Sequence, residues 1–354
     1  MEYLATLDHE EVLIRRGRRS GLFTMVAVHS TVRGPALGGC RVWSYDDARA
    51  AMRDALRLSR AMTFKSSVAG LPLGGGKGVV MLPAGTTVSP ARRRAALADF
   101  GDTVEALGGR YITAEDVGTS ARDMTLIAGT TAHVTGLSRR RGGSGDPSPW
   151  TALGVEAAIG VSVEHVFGSP SLKDRSVAVI GLGHVGGRVA KACAKAGAKL
   201  VVADIDPAKK ALAAALGARW TTPATALLAD VDVVAPCALG GVLDHETAPA
   251  LRCAVVAGAA NNQLADDAVA DLLHARGILW APDFVANAGG IINIAVELEP
   301  AGYDPRRARV RVRGIADTLR RVYADADRID ATPLTAAHEL ARRNLMPGPA
   351  GSLS

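Results

Sequence analysis

Two lysines, Lys65 and Lys77, lie close together in the sequence, and the second directly follows three glycines at residues 74–76. Glycine lets a backbone approach another backbone or a ligand where any side chain would clash. A lysine held beside a second cation and away from water loses proton affinity, which makes it a base near neutral pH. The pattern therefore predicts either a catalytic lysine or, more simply, a turn that carries a solvated lysine.

A second motif, Gly-Leu-Gly-His-Val-Gly, follows the apolar residues 177–180. Between a predicted strand and a predicted helix, this G-x-G-x-x-G pattern is typical of a dinucleotide site. Its glycines allow a tight turn, close approach of the pyrophosphate, and packing of helix on strand, and the helix N-terminus attracts phosphate. The predicted nucleotide-binding residues of this motif are Gly181, Leu182, Gly183, His184, Val185 and Gly186.

Asp204 ends the next predicted strand, where a carboxylate would bind the adenosine ribose hydroxyls. A carboxylate at that place repels a 2′-phosphate, so we predict that the cofactor is NAD rather than NADP. Asp206 could share the ribose contact. The simpler alternative for the whole motif is a tight turn followed by a surface aspartate.

The composition narrows the class of protein. A chain of 354 residues suits two domains, and 21% charged residues indicate a globular protein. The net charge is +6, but the basic residues are not interleaved with aromatics, so we predict no nucleic-acid partner. The four cysteines are widely spaced and the histidines are scattered, so we expect no metal site. No apolar run approaches the ~20 residues of a membrane span, and we expect a cytoplasmic protein.

Apolar periodicity predicts the elements that must position these residues. In the first half of the chain the predicted elements are a strand over 22–32, helices over 46–62 and 90–107, and a strand over 111–113. The second half alternates strand and helix, which predicts a parallel sheet with helices on both faces. Its predicted elements are a helix over 151–167, a strand over 176–180, a helix over 184–196, strands over 199–203, 231–235 and 253–257, and a last helix over 304–325.

The Gly-, Ser- and Pro-rich residues 138–149 indicate a connection between two domains. We therefore predict an α/β fold with a first domain over 1–140 and a doubly wound, Rossmann-type domain over 141–325. Residues 326–354 are predicted to form a helical tail that returns to the first domain.

Two lysines, a carboxylate such as Asp116 and a nicotinamide suit chemistry on an amino acid. One cation can bind the substrate carboxylate, a base can handle the protons of water and amine, and the aspartate can manage the ammonium. We find no histidine-based arrangement of the kind that lactate-type dehydrogenases use.

Several segments, in order from about residue 22 to residue 340, together resemble the glutamate/leucine/phenylalanine/valine family of amino-acid dehydrogenases. They are residues 34–39 (GPALGG), 62–65 (MTFK), 74–77 (GGGK), 114–119 (AEDVGT), 236–241 (PCALGG), 257–263 (AGAANNQ) and 281–290 (APDFVANAGG). The resemblance implies an N-terminal substrate and oligomerisation domain, an NAD-binding domain and a homo-oligomer. It also implies the reversible conversion of an L-amino acid, NAD⁺ and water into a 2-oxo acid, ammonium and NADH.

The resemblance implies a role for individual residues. Lys65 holds the substrate carboxylate, Lys77 is the general base that activates water, and Asp116 relays protons to and from the amine. A backbone donor at Gly39 lies near the substrate. The remaining implied positions are Asn262 and Asn287, which orient substrate or nicotinamide, Thr151, which contacts the carboxamide, and Cys237, Ala238 and Ala259 beside the cofactor.

The side-chain pocket implied by the family is apolar. Its positions are Leu37, Met62, Ala114, Val285, Ile291 and Ile294. A glutamate side chain would be buried there unpaired, at a cost of several kcal/mol, so we expect leucine, valine or isoleucine as substrate. Phenylalanine is the alternative, because residues 256–290 and 71–72 look more like phenylalanine dehydrogenases. A non-catalytic protein that binds NAD and an amino acid is a further alternative, which the presence of both Lys77 and Asp116 disfavours, and an unusual hydrophobic amino acid is another possible substrate.

Overall fold

The computed structural model describes residues 7–346, which form two compact units. Within that range the first unit contains residues 7–146, 294–305 and 341–346, and the second contains residues 147–293 and 306–340. The boundary after residue 146 falls inside the Gly-, Ser- and Pro-rich connection at 138–149. Among the described residues, no helix is both long enough and apolar enough to cross a membrane.

The first unit is built on a mixed five-stranded sheet in which β3 pairs in parallel with both β4 and β5. The strands β1 and β2 complete the sheet in antiparallel fashion. In sheet order the strands are β1 (Glu11–Arg16), β2 (Phe23–Ser30), β4 (Gly74–Pro83), β3 (Ala36–Tyr45) and β5 (Tyr111–Glu115). The parallel trio β4, β3 and β5 brings the carboxyl ends of three strands to one edge.

Helices cover both faces of this sheet. They are α1 (Ala48–Val68), α2 (Pro90–Glu105) and α3 (Ala121–Ile127). The Asp47 side chain caps α1 by accepting from the Ala50 amide. Apolar residues of α1 pack on one face, and those of α2 and α3 pack on the other.

The second unit contains a six-stranded, fully parallel sheet, as predicted. In sheet order its strands are β11 (Leu279–Trp280), β10 (Val255–Val256), β9 (Val233–Pro236), β6 (Ser176–Ile180), β7 (Lys199–Ala203) and β8 (Arg219–Thr221). This is the doubly wound order, in which the chain reverses direction across the sheet between β6 and β9. In such sheets ligands bind at the carboxyl ends of the strands beside that reversal.

The remaining helices follow the strands in chain order. They are α4 (Ser148–Phe167), α5 (Gly186–Lys195), α6 (Lys210–Ala215), α7 (Pro223–Leu227), α8 (Thr247–Ala250), α9 (Ala268–Ala275), α10 (Asp283–Ala286), α11 (Gly289–Glu297), α12 (Pro305–Arg313), α13 (Ile315–Ile329) and α14 (Pro333–Leu345). The single helix predicted over 304–325 is in fact two helices, α12 and α13. They are separated at Gly314, a residue with little preference for helix.

The units differ from the predicted domains in the last third of the chain. Residues 294–305 belong to the first unit, where the Glu297 carboxylate accepts hydrogen bonds from the Gly136 and Ser144 amides (3.2 and 2.8 Å). Residues 306–340 belong to the second unit, and Leu334 is buried in its core. The predicted return to the first domain therefore begins at residue 341 rather than 326.

Candidate active site

Lys77 and Asp116 meet at the parallel part of the first sheet. Lys77 lies within β4, and Asp116 follows β5 directly. The Lys77 Nζ lies 2.7 Å from Asp116 Oδ2, and the two side chains are only 5% and 23% exposed. The structure thus brings together the two residues that were predicted as base and proton relay.

The electrostatics of this pair make Lys77 easier to deprotonate and keep Asp116 ionised. Burial lowers the pKa of Lys77, and the nearby charge of Arg41 acts in the same direction, against the opposing effect of Asp116. Burial alone would raise the pKa of Asp116, but the charges of Lys77 and Arg41 outweigh it and hold that pKa below its usual value. A lysine that gives up its proton more easily than usual is suited to general-base work.

The glycine segment before Lys77 is a strand, which corrects its interpretation as a loop or turn. Residues 74–78 are buried in β4, between β2 and β3. A side chain at Gly75 would overlap the backbone nitrogen of Thr63 on α1. Gly75 therefore lets α1 pack directly onto the strand, on the same face as the buried Lys77 side chain two residues further on.

Gly39 lies against Asp116. It is in register with Ala114 on β5, and a Cβ atom at position 39 would lie 2.6 Å from the Asp116 Cβ and 2.8 Å from the Glu115 carbonyl oxygen. A residue with any side chain at position 39 would displace the aspartate. The structure thus explains glycine at this position by packing, while its predicted backbone contact with substrate stays a prediction.

The predicted apolar pocket residues fall in both units. Leu37 and Ala114 are buried in the first sheet, and Ile294 is buried in the first unit. Met62 is half-buried on α1, one turn before the half-buried Lys65. Two further positions, Val285 and Ile291, are buried in the second unit. That these side chains form one substrate pocket stays a prediction.

Three residues that sequence reasoning missed complete a polar network around the pair. Arg41 Nε donates to Asp116 Oδ2 (2.9 Å), and Arg41 also donates to Asp54 Oδ2 on α1 (2.8 Å). The Tyr45 hydroxyl donates to the same Asp54 oxygen (2.7 Å). Residues two apart on a strand share a face, so Gly39 could have pointed to Arg41 once β3 was recognised as a strand.

The dinucleotide motif has the geometry that its glycines require. Gly181 follows β6 with a positive φ of 96°, and a side chain at Gly186 would overlap the Gly181 carbonyl oxygen. A Cβ atom at Gly183 would meet no other described residue within 4 Å. The first and third glycines are thus needed by the fold, and the second leaves open space where a pyrophosphate can approach.

Asp204 lies beside the motif. It follows β7, and its carboxylate accepts hydrogen bonds from the Leu182 and Asp206 amides. The exposed Asp206 instead accepts from the amide of Ala208, two residues later in its own turn (2.9 Å). This arrangement favours Asp204 over Asp206 as the partner of a ribose.

The predicted cofactor residues beyond the motif gather at the neighbouring strand ends. The Cys237 amide donates to the Ile180 carbonyl (2.7 Å), and Ala238 packs against Gly181. Asn287 is buried and donates to the Ala259 carbonyl (3.2 Å), while its Oδ1 has no hydrogen-bond partner among the described residues. A buried acceptor without a partner fits an amide donor such as the nicotinamide carboxamide.

Two predicted residues have less direct support. The half-buried Thr151 lies on α4, its hydroxyl donates to the Pro147 carbonyl (3.3 Å), and it lies beside Gly290. Asn262 is exposed with a positive φ of 51°. A strained backbone of this kind is found at turns and at ligand sites alike, so the role of Asn262 stays a prediction.

Models of known protein families match long stretches of the chain. Residues 10–133 match the model of the Glu/Leu/Phe/Val dehydrogenase dimerisation domain, and residues 204–340 match that of glutamate/leucine/phenylalanine/valine dehydrogenase. Residues 157–246 also match the NAD-binding domain of D-isomer specific 2-hydroxyacid dehydrogenases.

Three relatives are similar over nearly the whole chain. Leucine dehydrogenase of Geobacillus stearothermophilus is 42% identical over 97% of this chain and 92% of its own length. Valine dehydrogenase of Streptomyces albus is 40% identical over 95% and 92%. The crystal structure of L-tryptophan dehydrogenase from Nostoc punctiforme has a TM-score of 0.84 and 37% identity, over 97% and 98% of the two chains.

Fold, site and relatives together define an amino-acid dehydrogenase that uses a nicotinamide cofactor. The chain belongs to the Glu/Leu/Phe/Val dehydrogenase family, which confirms the resemblance seen in its sequence. The matched dimerisation domain indicates that the protein forms an oligomer.

Proposed function

We propose that this protein catalyses the reversible, NAD-dependent oxidative deamination of a branched-chain L-amino acid. The observation that carries the proposal is the buried Lys77–Asp116 pair, with its 2.7 Å contact and the lowered pKa of the lysine. A non-catalytic binding protein would not need a buried lysine with a lowered pKa beside a carboxylate, so this pair favours an enzyme over that alternative.

The chain's own groups have distinct tasks in this reaction. When bound, the oxidised nicotinamide supplies the acceptor for the hydride that leaves the substrate Cα. Lys65 holds the substrate carboxylate, and Lys77, as the neutral amine, takes a proton from the water that adds to the iminium carbon. Asp116 takes a proton from the substrate ammonium before the hydride leaves, and returns it to the amino nitrogen after water has added. The C–N bond then breaks and the hydroxyl proton goes to the departing ammonia, so that ammonium leaves and the 2-oxo acid remains.

The branched-chain preference is supported by the chain's apolar positions and by the names of its relatives. Leu37, Ala114 and Ile294 are buried and carry no charge that could pair with a glutamate side chain. Leucine and valine dehydrogenases are among the similar proteins. The tryptophan dehydrogenase keeps an aromatic substrate as the second candidate.

A substrate panel tests the proposal. NADH formation is measured with each L-amino acid, together with the reverse reaction of each 2-oxo acid with ammonium. We expect the highest kcat/KM for leucine, valine or isoleucine. If kcat/KM is highest for phenylalanine or tryptophan, the proposed reaction stands but the proposed substrate is wrong. If no amino acid is turned over, the proposed function is wrong.

The cofactor and the location belong to the same proposal. The Asp204 carboxylate beside the glycine motif supports NAD over NADP, because it would repel a 2′-phosphate. Kinetics with the two cofactors test this, and equal kcat/KM for NADP would contradict it. A cytoplasmic location stays a prediction.

A further inference from the structure

We propose that Arg41 is a positioning residue of this reaction, which fixes the Asp116 carboxylate against Lys77 and ties it to Asp54. The inference rests on the proposed roles of Lys77 and Asp116. It assigns a task to a residue that touches neither the substrate nor the cofactor in the proposed reaction.

The geometry places Arg41 between two carboxylates. Its Nε contacts Asp116 Oδ2 at 2.9 Å, and its Nη1 contacts Asp54 Oδ2 at 2.8 Å. The planar guanidinium holds these contacts in a fixed fork, which lysine cannot reproduce. Since Asp116 lies after the end of β5 while Asp54 lies within α1, Arg41 joins a strand end to a helix.

Arg41 and Lys77 share one oxygen of the aspartate. Both contacts are made with Asp116 Oδ2, so the carboxylate is held from two sides at one atom. Within residues 7–346 no side chain is seen to hydrogen-bond to the other oxygen, Oδ1, so in the proposed reaction that oxygen can face the substrate amine. The Asp116 backbone is held separately, because its amide donates to the Thr119 hydroxyl (2.8 Å).

Charge gives Arg41 a second effect on the base. Its charge lowers the pKa of Lys77, whereas the charge of Asp54 raises it. The charged and titratable groups that act on the Lys77–Asp116 pair come from the strands and from α1. Those that shift the pKa values of the pair from outside it are Arg41 on β3 and Asp54 on α1. Burial raises the pKa values of Cys40 on β3 and Tyr111 on β5, which lie near enough for the Asp116 charge to raise them further.

The test compares four variants with the wild type: Arg41→Gln, Arg41→Lys, Asp54→Asn and Arg57→Gln. Arg57 is the matched control, because it also pairs with Asp54 (3.0 Å) but is largely exposed and has no contact with Asp116 among the described residues. For each protein, kcat and the amino-acid KM are measured across pH, and thermal melting confirms the fold.

We expect Arg41→Gln to lower kcat by on the order of 10- to 100-fold, with a smaller change in KM, because the aspartate loses its fixed position. The acid side of the kcat/KM profile should move to higher pH, since a cation beside Lys77 has been removed. Compared with Arg41→Gln, the Arg41→Lys variant should have a pH profile close to that of the wild type, because it keeps a cation, but should still have a lowered kcat.

Asp54→Asn should move the same limb to lower pH, because a carboxylate that raises the pKa of Lys77 is neutralised. Arg57→Gln should change neither kcat nor the profile. Opposite shifts from two neighbours in one network are not expected from general loss of structure.

A folded Arg41→Gln variant with the kcat and pH profile of the wild type would overturn the inference. A readout without turnover separates this failure from failure of the proposed function. Labelling of Lys77 by an amine-reactive reagent, followed across pH by mass spectrometry, reports its protonation directly. If Lys77 titrates at the same pH with and without Arg41, the inference fails whether or not any amino acid is a substrate.

Discussion

Replacing Lys77 with methionine removes the proposed base and keeps most of the side-chain volume. General-base catalysis contributes typically 10²- to 10⁴-fold, so we expect kcat/KM for deamination to fall by about that factor. At about 1.36 kcal/mol for each tenfold change, this corresponds to roughly 3–5 kcal/mol of transition-state stabilisation. The measurement is NADH formation with the best substrate of the panel.

Lys77→Met should lower the free energy of unfolding only moderately. Removing one partner of a buried ion pair costs about 3–5 kcal/mol when the other charge is left alone. Here Arg41 remains 2.9 Å from Asp116 Oδ2, so the carboxylate keeps a cation and the loss should be smaller. Because the expected loss of activity is large and the expected loss of stability is moderate, the variant should be folded but nearly inactive.

The pH dependence of stability gives an independent check. The folded pKa of Lys77 lies below its usual value, so the unfolded chain binds its proton more tightly, and wild-type stability rises with pH between those two values. The methionine variant should lack this rise. Asp116 has a lowered pKa, so its stabilisation is lost as pH falls from the unfolded to the folded value. Without Lys77 that pKa is less depressed, so the loss in the variant should be smaller and should end at higher pH.

Lys173→Met is a suitable control, because Lys173 is an exposed lysine in the second unit. It should keep wild-type kinetics. The assignment of the base would be refuted if Lys77→Met, shown to be folded and able to bind NADH, retained near-full turnover.

Further predictions concern the nucleotide site, the sheet and the pH profile. Gly183→Ala should fold normally but bind NADH at least tenfold more weakly, because its methyl group enters the space left for the pyrophosphate. Gly186→Ala should instead lower the melting temperature, since its methyl group would overlap the Gly181 carbonyl oxygen; equal melting of the two variants would contradict this. Asp204→Ser should raise the KM for NAD and the kcat/KM for NADP, and an unchanged cofactor ratio would remove Asp204 from the ribose site. In the wild type, kcat/KM for deamination should rise with pH along a limb that lies below the usual pKa of lysine, as steady-state kinetics can show.

The second sheet could be predicted from sequence because its signals are local. The strand that leads into Gly181 is a short apolar run, and the glycine motif marks the turn and the helix that follow. The strands β8 and β11 were not predicted, because three and two residues are too few to show a periodicity. The unit boundary at residue 341 was not predicted either. It lies within α14, and the sequence of a single helix does not show which unit each part of the helix packs against.

The fold of the first unit was harder to predict from sequence, because its central strand, β4, begins with glycines. Glycine has no side chain to pack and a low preference for strands, so residues 74–78 looked like a turn. The network of Arg41 and Asp54 was invisible for a different reason. Their contact depends on the register of β3 and on the face that α1 presents, which single-sequence patterns do not specify.

The glycines of β4 join packing and chemistry at one place. Gly75 allows α1 to lie directly on the sheet, and the Lys77 side chain, two residues further on and so on the same face of β4, is only 5% exposed. Burial is what lowers the pKa of the lysine, and the same approach of α1 delivers Asp54 to Arg41. A larger residue at Gly75 would therefore admit water to Lys77 and separate Asp54 from Arg41 together. The base, its partner and the residue that positions the partner depend on the close packing of one helix against one strand.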